Sequence, residues 1–171
     1  TYHLDRNFTM NPISFGDNKL FQIGRYYCNS KTVINEHSHM NWFEITIATG
    51  GKGFVYTNGI AVPIKRGDIF LSFPFDLHSI TPDPIDPLKY DFFSFNTSDE
   101  RLSKDLEKIM ESHIPADCRI ISDETIAALV GNAISELDTD DEYSNDALSA
   151  IFTHIIVRII RGFLYKTSIE S

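Results

Sequence analysis

Residues 53–64, Gly53-Phe54-Val55-Tyr56-Thr57-Asn58-Gly59-Ile60-Ala61-Val62-Pro63-Ile64, decide the fold. Asn58-Gly59 separates two runs rich in β-branched and aromatic residues, and this dipeptide favours a type I′ turn because both positions tolerate positive φ. The stretch therefore predicts a β-hairpin. Downstream, Arg66-Gly67-Asp68 turns the chain before the apolar run Ile69 to Phe73. Pro74-Phe75-Asp76-Leu77 turns it again before His78, and a proline-rich loop from Pro82 to Pro87 precedes Leu88 to Phe95. Upstream, Gly50-Gly51 breaks the run Trp42 to Ala48, and Lys19 to Cys28 alternates in the strand manner with Phe21, Ile23, Arg25 and Tyr27 on one face. Short strands with regular turns predict a small antiparallel barrel or sandwich.

From Asp99 the period changes to that of a helix. Leu102, Leu106, Ile109 and Met110 share one face, and Ser122 is placed to cap a second helix carrying Ile126, Leu129, Val130, Ala133, Ile134 and Leu137. After an acidic loop, Asp138 to Glu142, Asn145 is placed to cap a third. That helix carries Leu148, Ile151, Phe152, Ile155, Ile156 and Ile159, with Ile160, Phe163 and Leu164 beyond. So broad a stripe must be buried, either against the barrel and the preceding helix or against a second chain. The expected layout is a barrel with an N-terminal arm over 1–98 and a helical segment over 99–171, mainly β with α.

At 171 residues, 42% hydrophobic and 12% aromatic, the chain fits one domain with a helical appendage rather than a disordered segment. No run of about 18 apolar residues suggests a membrane span. A formal net charge of -9 with 15 Lys and Arg argues against a nucleic-acid surface within these residues, since phosphate binding needs a local excess of cations. Cys28 and Cys118 lie far apart and outside any CxxC pair, which indicates packed thiols and a cytoplasmic setting. Thr1 to Pro12 has no secretory character, and a helical pattern running almost to Ser171 reads as the edge of a piece of a longer protein.

The residues with chemistry are His37, His39, Glu44 and His78. Two histidines one residue apart on an extended segment point to the same face, and a third imidazole with a carboxylate completes a four-ligand set. Such a set suits a divalent transition metal, Zn, Ni, Fe or Mn, or equally a polar organic ligand. His3, His113 and His154 lack partners at ligand spacing.

His37-x-His39-x4-Glu44 followed by Gly50-Gly51, then Gly67-x6-Pro74-x3-His78, resembles the two short motifs of the cupin superfamily. The second motif departs from the pattern, with Asp76 where many metal-binding cupins have glycine and a proline-to-histidine spacing one residue shorter. The order of short arm, cupin barrel (a jelly roll) and amphipathic helical tail resembles the N-terminal sensor and dimerisation domain of an AraC-type transcription regulator. That resemblance implies a small polar effector, often a sugar, inside the barrel, and an arm around Leu4 to Ile13 that folds over the pocket or contacts a DNA-binding domain. It also implies a homodimer formed through the helical tail, with Leu148, Ile151, Phe152, Ile155, Ile156 and Ile159 at the interface. DNA contact would come only from a C-terminal helix-turn-helix domain, which nothing in this sequence resembles, and no membrane is implied.

The expected lining is His37, His39, Glu44 and His78 with Arg25, Tyr27, Trp42 and Tyr90. Arg25 is suited to clamp a carboxylate or sugar hydroxyls, and Trp42 to cover the apolar side of a sugar ring. The leading expectation is a non-enzymatic sensor. The alternative is a stand-alone metal-dependent cupin enzyme, an oxygenase or isomerase, with the three histidines and Glu44 holding the ion.

Overall fold

The computed structural model describes residues 2–38, 41–112 and 114–170, and the side chains of these up to residue 165. The chain opens with β1 (Tyr2–Asn7), β2 (Ile13–Phe15), β3 (Asn18–Tyr27), β4 (Ile34–Ser38) and β5 (Phe43–Gly50). There follow β6 (Lys52–Thr57), β7 (Ile60–Lys65), β8 (Asp68–Ser72), β9 (Leu77–Pro82) and β10 (Lys89–Thr97). Helix α1 (Glu100–Glu111), strand β11 (Ile120–Ser122) and helices α2 (Glu124–Thr139) and α3 (Ser144–Glu170) complete it.

The strands form two antiparallel sheets. The larger runs β1-β3-β10-β5-β8-β11, with β2 paired beside β3, and the smaller runs β4-β9-β6-β7. The predicted hairpin is β6 with β7, in register from Lys52↔Lys65 to Thr57↔Ile60, and Asn58 and Gly59 both take positive φ, 49° and 82°. The architecture is a mainly β jelly-roll sandwich with helices.

Three layers follow from strand alternation. On β5, Phe43, Ile45 and Ile47 face the helices, with Ile69 and Leu71 of β8 and Phe93 and Phe95 of β10 beside them, all in one core cluster with Leu106, Ile126, Phe152, Ile155 and Ile159. The other face of the same sheet meets the small sheet through Phe70, Tyr90 and Phe92 against Val55, Val62, Ile64 and Ile80. The large sheet is thus buried on both faces, so its strands read as nearly continuous apolar runs.

Helix α1 starts where Asp99 accepts from the Leu102 N–H at 2.9 Å. The cap of α2 is Asp123, which accepts from Thr125 and Ile126, and not Ser122. Ser122 is held one residue earlier in the β8–β11 ladder opposite Asp68, and its hydroxyl donates to the Gly67 carbonyl. Likewise α3 begins at Ser144, one residue before the expected cap Asn145. There Asp141 accepts from the Tyr143 N–H, and the Ser144 hydroxyl accepts from the Asp141 N–H.

The apolar stripe of α3 belongs to the chain's own core. Leu148, Phe152, Ile155, Ile156 and Ile159 are at most 2% exposed, and only Ile151 is half-buried. Phe152 packs its ring 5.4 Å from Phe15 and 5.0 Å from Phe93. The expectation of a dimer interface on Leu148, Phe152, Ile155, Ile156 and Ile159 is therefore corrected: the sheet and the other helices already cover these five. Ser144–Tyr165 is, by length and hydropathy, long and apolar enough to cross a membrane, contrary to the reading of its sequence. In this fold its apolar face packs inside the protein.

Candidate functional site

Between the two sheets lies a cavity of about 200 Å3. His37 of β4 and His78 of β9 are direct cross-strand partners, with ring centroids 4.3 Å apart at 62°. Glu44 enters from β5, on the large sheet opposite. Its Oε2 lies 3.2 Å from His78 Nε2, and its Oε1 accepts from the Ser94 hydroxyl at 2.8 Å. Glu44 is 7% exposed and His78 2%. Facing a carbonyl oxygen at 2.8 Å, His37 Nδ1 can only donate, to Asn35, so in the neutral ring Nε2 keeps its lone pair.

One ligand atom from each of His37, Glu44 and His78 lies within 4.8 Å of the others. Two imidazoles and a carboxylate fit a divalent transition metal, and the bond from His37 Nδ1 to a carbonyl is the kind that orients a metal-ligating ring. The same atoms also form a polar end suited to an organic ligand. His39, the fourth residue of the expected set, lies outside the described residues.

Aromatic and polar side chains complete the walls. Tyr26 and Tyr90 stack nearly parallel, centroids 5.9 Å apart, and Phe92 stands 6.1 Å from Tyr90. Burial pushes the Tyr90 hydroxyl well above its ordinary range. From β1, Asp5 accepts from Gln22 at 2.9 Å, and His3 lies over Tyr26 at 4.5 Å. Gly24 sits among them because a Cβ there would strike the Leu4 carbonyl and the Phe92 ring. The expected arm is thus, over Tyr2–Asn7, an edge strand paired with β3.

Of the expected lining, His37, Glu44, His78 and Tyr90 come together, whereas Arg25, Tyr27 and Trp42 lie elsewhere. Arg25 is on the opposite face of β3, where its Nε and Nη2 donate to the two oxygens of Asp91 at 2.8 and 3.1 Å. The hydrogen bond to Asp91 raises the Arg25 pKa. Tyr27 lies under Lys89, whose Nζ is 5.3 Å from the ring centroid, and Trp42 stacks on Phe21 at 4.5 Å. The error is one of parity. Phe21, Ile23, Arg25 and Tyr27 do share a face, but that face looks away from the cavity, and a sheet buried on both sides does not declare which side holds it.

Gln22, Tyr26, Thr46 and Ile80 line the cavity without having been singled out. Counting two residues along a strand from Glu44 reaches Thr46, from His78 Ile80 and from Tyr90 Phe92, so period-two counting from the polar residues locates these walls. A larger hollow of about 290 Å3 lies outside the small sheet, beside Lys52, Phe54 and Pro63. The clustered imidazoles and Glu44 lie in the other cavity, and that convergence rather than volume identifies the site.

A profile of the AraC-like ligand binding domain matches residues 22–156. No curated protein matches the chain. Among solved structures, it is similar to a cupin protein from Bacteroides fragilis, 15% identical over 58% of this chain and 79% of that one, with a TM-score of 0.46. It is also similar to a predicted oxalate decarboxylase from Thermotoga maritima, 20% identical over 54% of this chain and 89% of that one, TM-score 0.39. A salicylate 1,2-dioxygenase from Pseudaminobacter salicylatoxidans is 18% identical over 46% of this chain and 26% of that one, TM-score 0.40. With most of its length matched by the one profile, the chain belongs to the AraC-like ligand-binding domain family.

Proposed function

We propose that the chain is the sensing module of an AraC-type transcription regulator, binding a small polar effector of about the size of a sugar between its two sheets. The observation that carries this reading is the convergence of His37, Glu44 and His78 at one end of an aromatic-walled cavity, in a chain of a ligand-binding family. At about 200 Å3 the cavity is smaller than the roughly 300–1,000 Å3 typical of drug-sized ligands, which favours a small metabolite.

Strand β1 offers a route for the signal. His3 and Asp5 line the cavity, while Arg6 of the same strand donates to the Leu137 carbonyl at 3.3 Å and pairs with Asp138 at 3.4 Å, at the end of α2. An effector that binds more tightly to one placement of β1 than to another biases the helical layer, as any ligand-driven switch requires. In this reading the module is not an enzyme, acts in the cytoplasm and takes its DNA contacts from a separate domain, in keeping with the net charge of -9. Its homodimer uses a surface other than the buried stripe of α3.

Thermal denaturation of the chain in the presence of sugars, polyols, amines and hydroxy acids tests the reading. An effector at about one hundred times its Kd adds about 2.7 kcal/mol of stability. His78→Ala should remove that gain, and a gain unaffected by it would take the effector out of this cavity.

A second reading, a metal-dependent cupin enzyme, is favoured by the three-ligand cluster itself. His37, Glu44 and His78 would then hold Zn, Ni, Fe or Mn, and the ion would supply Lewis acidity or redox chemistry. Elemental analysis after incubation with each ion tests it: one ion retained per chain, and lost in Glu44→Gln, would favour the enzyme.

A further inference from the structure

We infer that the sandwich holds an ordered internal water between the hydroxyls of Ser72 and Thr57, on the closed side of the Glu44–His78 pair. Register places both hydroxyls there. Ser72 of β8 is the cross-strand partner of Glu44, and Thr57 of β6 is the cross-strand partner of His78. Directly opposed residues share a face of their sheet, so both short side chains point between the sheets, as Phe70 and Val55 do two residues before them. Strand β7, which lies next to β6, packs against β8. The two hydroxyls therefore flank the pair on the same side, and the effector cavity lies on the other.

Both side chains are shut off from solvent, Thr57 at 0% exposed and Ser72 at 1%, and neither hydroxyl oxygen has a hydrogen-bond partner among the described residues. Buried hydroxyls without a partner are rare, and an internal water making about three hydrogen bonds is a common means of satisfying them. The spacing suits one. Packed sheets stand about 10 Å apart, a distance that glutamate and histidine together can close. Glu44 and His78 do so, meeting at 3.2 Å. Serine and threonine, being short, leave between them a gap roughly one water wide. Each hydroxyl is both donor and acceptor, and so is water, which can bond the two at once in either sense. The water belongs to the fold whether or not an effector is bound.

A high-resolution crystal structure of the whole chain tests this. It should show a water within hydrogen-bond distance of both Ser72 Oγ and Thr57 Oγ1, and the same place should be dry in Ser72→Ala/Thr57→Val. Thermal denaturation gives a second reading. Each single change leaves a polar group short of a partner and should lower Tm by about 2–4 °C, whereas the double change removes both hydroxyls. The double variant should therefore melt closer to the parent chain than the sum of the two losses implies. Losses that simply add overturn the water. So do hydroxyls found bonded to each other or to main-chain carbonyls with no density between them, and density that persists in the double variant or scatters anomalously as a metal ion.

Discussion

Arg119 donates to Asp76 in a pair whose side chains are each 10% exposed, and the bond ties the turn before His78 to the segment leading into β11. The same carboxylate accepts from the Phe73 N–H at 2.8 Å and from Asn58 at 3.3 Å, while the guanidinium lies 3.9 Å over the Phe73 ring. Asp76 thereby organises the turn that delivers His78. Removing one partner of such a buried pair leaves an uncompensated charge, at a cost of about 3–5 kcal/mol. Arg119→Met should lose that much stability in urea denaturation, and adding Asp76→Asn should restore part of it. A loss below about 1 kcal/mol would place the pair with weak surface bridges.

Ile155 is fully buried in the layer between α3 and the large sheet. Ile155→Ala should destabilise the chain by about 2–5 kcal/mol through lost burial and the cavity left behind. Sedimentation should show the same oligomeric state as the parent chain. A changed oligomeric state at unchanged stability would return this helix to an interface between chains.

Tyr26 and Tyr27 are neighbours in sequence that face opposite sides of β3. Calorimetric titration with the effector found by screening should show Tyr26→Ala weakening binding by tenfold or more and Tyr27→Ala leaving it within about twofold. The reverse order would mean that the register of β3 is displaced by one residue.

Burial pushes the Cys28 thiol up to about 11. The unfolded thiol ionises near the ordinary value of about 8.5 while the folded one stays protonated, so the stability tied to this group is complete below that pH. It declines as pH rises towards 11. Stability should therefore fall less steeply between pH 9 and 11 in Cys28→Ala than in the parent chain, and equal slopes would contradict the assignment. Iodoacetamide at pH 8 should modify the half-buried Cys118 before Cys28.

The fold is legible where local chemistry and tertiary structure agree. Asn58-Gly59 demands the positive φ values it adopts, Gly67 and Pro74 mark turns that occur, and the change of period after Asp99 marks the first helix. The helix starts at Asp123 and Ser144 differ by a residue from expectation because several polar residues near each start can serve as caps, and the neighbouring strand decides. Which face of β3 meets the cavity is a property of the third layer. The helices cover Ile23 and Phe93, and no spacing within β3 records that covering. The destination of the α3 stripe was open for the same reason, since amphipathicity reports that a surface is buried and not what buries it.

The most direct measurement is a crystal structure of the chain with an effector that stabilises it. Density is expected between the two sheets, in contact with His37, Glu44 and His78 and against Tyr26 or Tyr90. An effector seated in the outer hollow beside Lys52 and Phe54, or on any other surface with the cavity left to solvent, would contradict it.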